Sequence, residues 1–190
     1  NIPPGEGFEK ALDIIFQRVH KMGGKIIASG MGKAGQVADN IATTFSSTGS
    51  AAVFLHPAEA QHGDLGVIRE NDVLLVLSNS GKTREILELV QLSRNLHPGL
   101  PVIVITGNPE GDLPRISDAV IYTGNPAEVC ALGLTPTTST TTMTVIGDIL
   151  VVLLMKRIGF TAADYARRHH GGYLGQVSKI KARDHENFKK

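Results

Sequence analysis

The sequence is poor in cysteine, in aromatic residues and in long apolar runs, and these shortages exclude several classes of protein. The 190 residues include one cysteine, Cys130, so no disulfide can form within the chain. No uninterrupted apolar run approaches the roughly 18 residues that a spanning helix requires. The start of the chain has no signal-peptide pattern. We therefore predict a cytoplasmic protein with no membrane partner.

Charge of either sign is also scarce. Lysine and arginine number 19 and aspartate and glutamate 18, which gives a formal net charge of +1. Nucleic-acid binding needs a basic stripe or face, and the sequence shows none. Apolar residues make up 42% of the chain and charged residues 19%, a balance typical of a globular domain.

Five short apolar runs predict five buried strands. They lie at residues 25–29, 51–55, 73–78, 102–106 and 119–122. The runs are continuous rather than alternating, so both faces of each strand should be covered, as in a parallel sheet. Segments of helical periodicity separate them, which predicts an α/β fold: a three-layer αβα sandwich around a five-stranded parallel sheet, similar to flavodoxin. We predict one domain over residues 1–190, with an N-terminal helix at 7–22, a core at 24–158, and a C-terminal helix and tail at 159–190.

The loop after the third strand carries the sharpest chemical signal. Ligands of open parallel sheets bind beyond the carboxyl ends of the strands. This loop reads Ser78-Asn79-Ser80-Gly81-Lys82-Thr83 and leads into a helix. Hydroxyl groups, backbone N–H groups and the positive end of a helix dipole suit a phosphate dianion. One such residue could be a simple helix cap, but three hydroxyls beside a glycine exceed what capping needs.

The loop after the first strand reads Gly30-Met31-Gly32-Lys33-Ala34-Gly35, which matches the G-x-G-x-x-G pattern of dinucleotide sites. A dinucleotide site would also need an acidic residue at the end of the second strand, where this chain has Leu55-His56-Pro57. The alternatives to dinucleotide binding are a small ligand contacted by Lys33 and a tight turn with a solvated lysine.

Three further loops carry titratable groups. Two histidines and two acids follow the second strand, among them His62, but their spacing is not that of a zinc site. Glu128 follows the fifth strand among apolar neighbours, where desolvation would raise its pKa towards that of a useful base. The pair His169-His170 precedes two glycines near the C-terminus.

Taken together, the loops resemble a known family. The motifs GMGKAG, TFSSTG, HPAEAQHGDLG, SNSGKTREI, EVCALGLTPTTSTT and GFTAADYARRHHGGYLG follow the order found in the sugar-isomerase (SIS) domain of bacterial D-arabinose-5-phosphate isomerases. The resemblance covers about residues 24–175. It implies interconversion of D-ribulose 5-phosphate and D-arabinose 5-phosphate for the synthesis of 3-deoxy-D-manno-octulosonate (Kdo), which is used in lipopolysaccharide and capsules.

The resemblance also implies the site. By motif position, the family's polar active-site residues fall on Lys33, His62, Glu85, Glu128 and His169. The family's phosphate loop falls on Ser78, Asn79, Ser80, Gly81 and Thr83, with Ser47 and Thr48 as possible contributors. The chemistry of isomerisation requires no metal and no cofactor. We predict a homotetramer with His169 reaching a neighbour's site, and pathway logic makes CMP-Kdo a candidate feedback ligand.

The chain departs from the family pattern at two positions and in one larger feature. His170 replaces the usual proline before the glycines, so either histidine of the pair could act, and alignment favours His169. Lys82 replaces the usual glutamate in the phosphate loop. Many members carry two CBS domains after the SIS domain, and we expect a form without them.

Two other functions remain open from sequence alone. SIS domains occur in non-catalytic sensors of sugar phosphates and in isomerases of hexose or heptose phosphates. A sensor would bind without turnover, and it gives no reason for Glu128, His62 and His169 to occur together.

Overall fold

Five parallel strands form the centre of the domain, which confirms the predicted α/β class. The computed structural model describes residues 5–187, with side chains through residue 183. The strands are β1 (Ile26–Gly30), β2 (Ala52–Phe54), β3 (Val73–Leu77), β4 (Val102–Thr106) and β5 (Ala119–Tyr122). Their order in the sheet is β2-β1-β3-β4-β5, the flavodoxin-like order, whose ligand crevice lies where the order reverses, between β1 and β3.

The helices cover both faces of the sheet. They are α1 (Glu6–Ile15), which continues as a π-helical segment (Phe16–Lys21), α2 (Gly32–Ser47), α3 (Pro57–Ala60), α4 (Arg84–Leu96), α5 (Asp112–Ile116), α6 (Thr138–Arg157), α7 (Ala162–Ala166) and α8 (Gly172–Asn187). A short 3-10 turn lies at Asp64–Val67.

Alternate residues of the strands point into two separate apolar cores. Ile26 and Ala28 of β1 pack in the core shared with α1, α2 and α6. Ile27, between them, packs in the core shared with α4 and α5. Every residue of β1, β3 and β4 is buried, because helices cover both faces of these strands. The predicted three-layer sandwich is therefore confirmed.

The register brings two of the predicted functional loops together. Gly30, the last residue of β1, pairs with Leu77, the last residue of β3. Leu77 in turn pairs with Ile105 near the end of β4. Since parallel strands end at the same edge, the chain segments that follow β1, β3 and β4 lie side by side there.

Helices α2 and α6 run from the carboxyl ends of the strands towards their amino ends. Each starts at the carboxyl edge, and at 1.5 Å per residue they extend for about 24 and 30 Å. The two helices pack closely, since a Cβ atom on Gly147 would lie 2.4 Å from the Ile41 side chain. By length and composition α6 could cross a membrane, although no unbroken apolar run predicted it. In this structure it buries Met143, Ile146, Leu150 and Leu154 in the core and exposes Val145, Val152 and Leu153.

Candidate active site

A cavity of about 430 Å³ opens at the carboxyl edge of the sheet. Its walls come from the loops after β1, β3 and β5 and from the first turns of α6. The structure thus brings together six of the predicted site residues: Lys33, Ser78, Asn79, Ser80, Thr83 and Glu128. Residues from three separate loops, among them a lysine and a glutamate, therefore line one volume that is large enough for a small phosphorylated molecule.

The loop after β3 presents its hydroxyl groups to this cavity. The hydroxyl oxygens of Ser78 and Thr83 lie 2.7 Å apart. Thr83 directly precedes α4, yet its side chain makes no capping hydrogen bond with the helix. Gly81, with φ of +65°, adopts the left-handed conformation that glycine tolerates best, and its amide donates to the Ser78 carbonyl at 3.1 Å. The Thr83 hydroxyl is therefore paired with the Ser78 hydroxyl rather than used as a helix cap.

The glycines after β1 serve close packing of helix on strand. A Cβ atom on Gly35 would lie 2.6 Å from the carbonyl oxygen of Gly30. A Cβ atom on Gly30 would lie 2.8 Å from the carbonyl group of Ala34. The first turn of α2 can thus lie against the end of β1, which places Lys33 in the wall of the cavity.

The sequence-based prediction that desolvation raises the pKa of Glu128 is wrong. Its Oε2 accepts hydrogen bonds from the amide and hydroxyl of Thr137, at 2.7 and 2.8 Å, and from the amide of Ser139 at 3.4 Å. The Ser139 side chain and then these donors lower the pKa of Glu128 to about 2, against the opposing effect of burial. The carboxylate is therefore ionised at neutral pH and occupies the N-terminus of α6, where a negative charge is favourable.

The segment from Glu128 to Thr137 forms a closed loop. The Cys130 sulfur accepts hydrogen bonds from the amides of Leu134 and Thr135, at 3.3 and 3.2 Å. Leu134 lines the cavity although its side chain is mainly exposed. The sequence analysis did not identify Thr137 and Ser139, the residues that hold the Glu128 carboxylate.

His62 and Glu85 are not among the residues that line the cavity. His62 is exposed in the turn after α3. The preceding residue, Gln61, donates to Glu88 of α4 at 3.1 Å and so ties this turn to the helix that follows the phosphate loop. Glu85 is half-buried in the first turn of α4. Among residues 5–187 no ion pair joins Glu85 to Lys33.

Three predicted site residues lie at the amino ends of the strands, away from the cavity: Ser47, Thr48 and His169. Ser47 ends α2, and the Ser47 and Thr48 hydroxyls donate to main-chain carbonyls of that helix at 2.8–3.1 Å. Gly49, the next residue, is in contact range of Phe160, just after α6. Within one chain the structure therefore does not bring these residues to the phosphate loop.

His169 is held in a defined orientation. Its ring stacks on Tyr165 with centroids 3.7 Å apart, and its Nδ1 lies 3.0 Å from the Tyr165 carbonyl oxygen. A carbonyl oxygen only accepts, so Nδ1 carries the proton and Nε2 of the neutral ring remains a base. Gly175 permits this arrangement, because a Cβ atom there would lie 2.5 Å from the His169 carbonyl oxygen.

The part of the chain that the structure describes contains no group of three histidine, cysteine, aspartate or glutamate side chains that could hold a metal ion. The expectation that the reaction needs no metal and no cofactor stays a prediction.

Fold and cavity together define a parallel α/β domain with a hydroxyl-rich cavity at the switch point of the sheet. A family model described as "SIS domain" matches residues 21–153. The chain therefore belongs to the SIS domain family, as its motifs predict.

Related proteins carry names that point to sugar phosphates. The arabinose 5-phosphate isomerase KdsD of Salmonella typhi is 45% identical over 161 residues, which are 85% of this chain and 48% of that protein. KdsD of Pseudomonas aeruginosa is 43% identical over 180 residues, 95% of this chain and 53% of that protein. The chain thus spans about half the length of the curated relatives it matches.

Two solved structures share the whole fold. A candidate phosphosugar isomerase involved in capsule formation from Bacteroides fragilis superimposes with a TM-score of 0.90 at 65% identity, covering 91% of this chain and 90% of that one. An Escherichia coli CFT073 protein in complex with arabinose 5-phosphate superimposes with a TM-score of 0.81 at 33% identity, covering 88% and 86%.

Proposed function

We propose that this protein is an aldose–ketose isomerase that interconverts D-ribulose 5-phosphate and D-arabinose 5-phosphate. The observation that carries the proposal is one cavity lined by the Ser78–Thr83 loop, by Lys33 and by Glu128. Such an isomerase needs a site for the substrate's phosphate, a cation near the reacting oxygens and a base. The names of the KdsD relatives and the arabinose 5-phosphate complex of the Escherichia coli neighbour support the choice of substrate.

The loop after β3, which lines one wall of the cavity, would bind the phosphate of the substrate. Ser78, Ser80 and Thr83 offer hydroxyl donors, and the start of α4 adds the positive end of a helix dipole. The ester anchors the sugar and leaves its first two carbons free to reach the opposite wall. Fixing the substrate in this way removes the entropic cost of orientation before the chemical step.

Glu128 is our choice for the base that moves a proton between C1 and C2. The amide and hydroxyl of Thr137 and the amide of Ser139 donate to Oε2. We assign Oε1 to take the proton from one carbon and return it to the other through a cis-enediol. A carboxylate with a pKa of about 2 is a weak base, so the transition state must be stabilised elsewhere in the site.

Lys33 supplies that stabilisation in our proposal. Lys33 lines the cavity, and its ammonium group would neutralise the charge that develops on the enediolate oxygens. An electrostatic contact of this kind is worth about 3 kcal/mol in the transition state. His62 would move protons to the ring and carbonyl oxygens, and Glu85 would orient Lys33 or a substrate hydroxyl.

A homotetramer would complete the site. Ser47, Thr48 and His169 lie at the edge of the sheet away from the phosphate loop, so they can contribute only to a neighbour's cavity. Exposed apolar side chains on α6, namely Val145, Val152 and Leu153, offer a surface that a second copy could cover. In this arrangement His169 Nε2 would enter the neighbouring site as a second proton carrier.

The cellular role follows from the product. D-arabinose 5-phosphate would feed Kdo synthesis in the cytoplasm, for lipopolysaccharide or capsule.

The activated end product of that synthesis, CMP-Kdo, would compete for the same cavity. Lys82 in the phosphate loop adds a cation for a second anionic group. Calorimetry with CMP-Kdo tests this: no binding at millimolar concentration contradicts it.

The assay that decides the function is incubation of the purified protein with D-ribulose 5-phosphate. We expect D-arabinose 5-phosphate as product, and at least a hundredfold lower turnover in Glu128→Gln, because the amide cannot accept the proton. Binding of the substrate without turnover by the wild type would instead indicate a sensor. Near-normal turnover by Glu128→Gln would remove Glu128 as the base while leaving the isomerase.

A further inference from the structure

The loop after β4 holds the phosphate loop through three consecutive carbonyl groups. The carbonyl oxygens of Asn79 and Gly81 accept from the amides of Gly107 and Leu113, at 3.1 and 2.9 Å. Between them, the carbonyl oxygen of Ser80 accepts from Nδ2 of Asn108 at 2.9 Å. The sequence analysis did not select this second loop, although it follows a strand of the same sheet.

The direction of these carbonyls decides where the loop's N–H groups point. In a trans peptide the C=O and N–H bonds lie in the peptide plane and point in opposite directions. The bond from Gly107 to the Asn79 carbonyl therefore directs the Ser80 N–H away from the β4 loop, and among residues 5–187 that N–H bonds no acceptor. The next peptide, whose carbonyl Asn108 holds, directs the Gly81 N–H onto the Ser78 carbonyl at 3.1 Å and so closes the turn.

Two side chains donate to these carbonyl groups: Asn108 Nδ2 donates to Ser80 at 2.9 Å, and the Thr106 hydroxyl lies 3.4 Å from the Asn79 carbonyl oxygen. The orientation of the Asn108 side-chain amide is fixed by chemistry, because the Ser80 carbonyl can only accept and the Glu110 amide, 3.1 Å from Oδ1, can only donate. The main chain of Asn108 is also held in place, since its backbone N–H donates to the buried Thr106 hydroxyl at 3.1 Å. The side chain thus joins a rigid strand end to the phosphate loop.

We propose that Asn108 is a positioning residue for phosphate recognition: by holding the Ser80 carbonyl it keeps the 78–81 turn in the shape that presents Ser78, Ser80 and Thr83 to the phosphate. The proposal rests on the proposed function, in which this loop binds the substrate's phosphate. Asn108 touches no substrate atom in this assignment. Its loss should weaken binding of the ester and leave the chemical step at the far wall of the cavity unaffected.

The test uses Asn108→Ser. Serine can still accept from the Glu110 amide, but its side chain is too short to reach the Ser80 carbonyl. We expect the KM for D-arabinose 5-phosphate and the inhibition constant of inorganic phosphate to rise together by about 3- to 10-fold, the usual effect of one lost hydrogen bond. The kcat should stay within about twofold of the wild type, since Glu128 and Lys33 are untouched.

Asn95→Ser is the matched control. Asn95 is an exposed asparagine near the end of α4 whose Oδ1 accepts from Gln91 at 2.9 Å, remote from the cavity. Its variant should leave both constants unchanged. Should Asn108→Ser fail to fold, Asn108→Thr removes the same donor and keeps a hydroxyl.

Two outcomes overturn the proposal: unchanged KM and phosphate inhibition in Asn108→Ser, or a fall in kcat alone. A wild type without turnover would refute the isomerase but leave this inference open to test by titration of amide chemical shifts with inorganic phosphate. Weaker phosphate binding by Asn108→Ser in that titration supports the positioning role, and equal binding refutes it.

Discussion

The Glu128 carboxylate lies 2.7 Å from the Thr137 amide nitrogen, so the proposed base also caps the longest helix of the domain. The two roles share one charge. The amide and hydroxyl of Thr137, together with Ser139, stabilise the ionised form and lower its pKa to about 2. Protonation of this carboxyl group should therefore affect stability and catalysis at once.

The first prediction concerns stability against pH. A carboxyl group whose pKa is depressed in the folded state contributes stability above its unfolded pKa, and this contribution is lost as the pH falls through the folded value. For Glu128 the window runs from about 4.5 down to about 2. We expect the wild type to melt above Glu128→Gln at neutral pH and the difference to shrink below about pH 4.5. Scanning calorimetry of both proteins measures this, and a gap independent of pH would contradict it.

The second prediction isolates the Thr137 hydroxyl. Thr137→Val keeps the shape and the main-chain amide but removes the hydroxyl donor at 2.8 Å. The pKa of Glu128 should rise, and the acid limb of kcat/KM should move to higher pH by about half to one unit. Thr137→Ser retains the donor and should keep the wild-type profile. Coincident limbs in all three proteins would show that Glu128 does not control the rate.

The third prediction concerns Lys33. Lys33→Met keeps a long side chain in the cavity wall but removes its charge. Loss of about 3 kcal/mol from the transition state corresponds to roughly a hundredfold lower kcat, with a smaller change in KM. Steady-state kinetics separates the two constants, and Lys10→Met, on the exposed face of α1, is the control. If KM alone rises, Lys33 binds the substrate without stabilising the enediolate.

The fourth prediction tests whether sites form between chains. Glu128→Gln and His169→Asn should each abolish most activity alone. If His169 serves a neighbour's cavity, oligomers that mix both variants contain some sites with both native residues, and about one quarter of the activity should return. Co-expression of the two variants measures this. Absence of recovery, or a fully active monomer by light scattering, would place the whole site within one chain.

The strands could be predicted because their signal is local. β4 and β5 begin and end where the apolar runs do, β3 differs by one residue at one end, and β1 and β2 differ by one residue at each end. The rule that ligands bind beyond the carboxyl ends of parallel strands then selected Lys33 and the 78–83 loop correctly as neighbours.

The environment of Glu128 could not be predicted in the same way. Its partners, Thr137 and Ser139, follow on the far side of a loop, and only the folded chain brings them together. Burial by local composition suggested a raised pKa, whereas hydrogen bonding outweighs desolvation and lowers it. The separation of His169 from the cavity of its own chain follows from the length and direction of α6, and only the family resemblance anticipated it.

The loop from Glu128 to Thr137 begins and ends on the same carboxylate, and one of its residues, Leu134, forms part of the cavity wall. Protonation of Glu128 at low pH would therefore have two effects: it would remove the proposed base, and it would break the hydrogen bonds that hold the adjacent cavity wall. Inactivation at low pH should then be a local, reversible event that precedes collapse of the sheet, and enzyme returned promptly to neutral pH should recover without refolding.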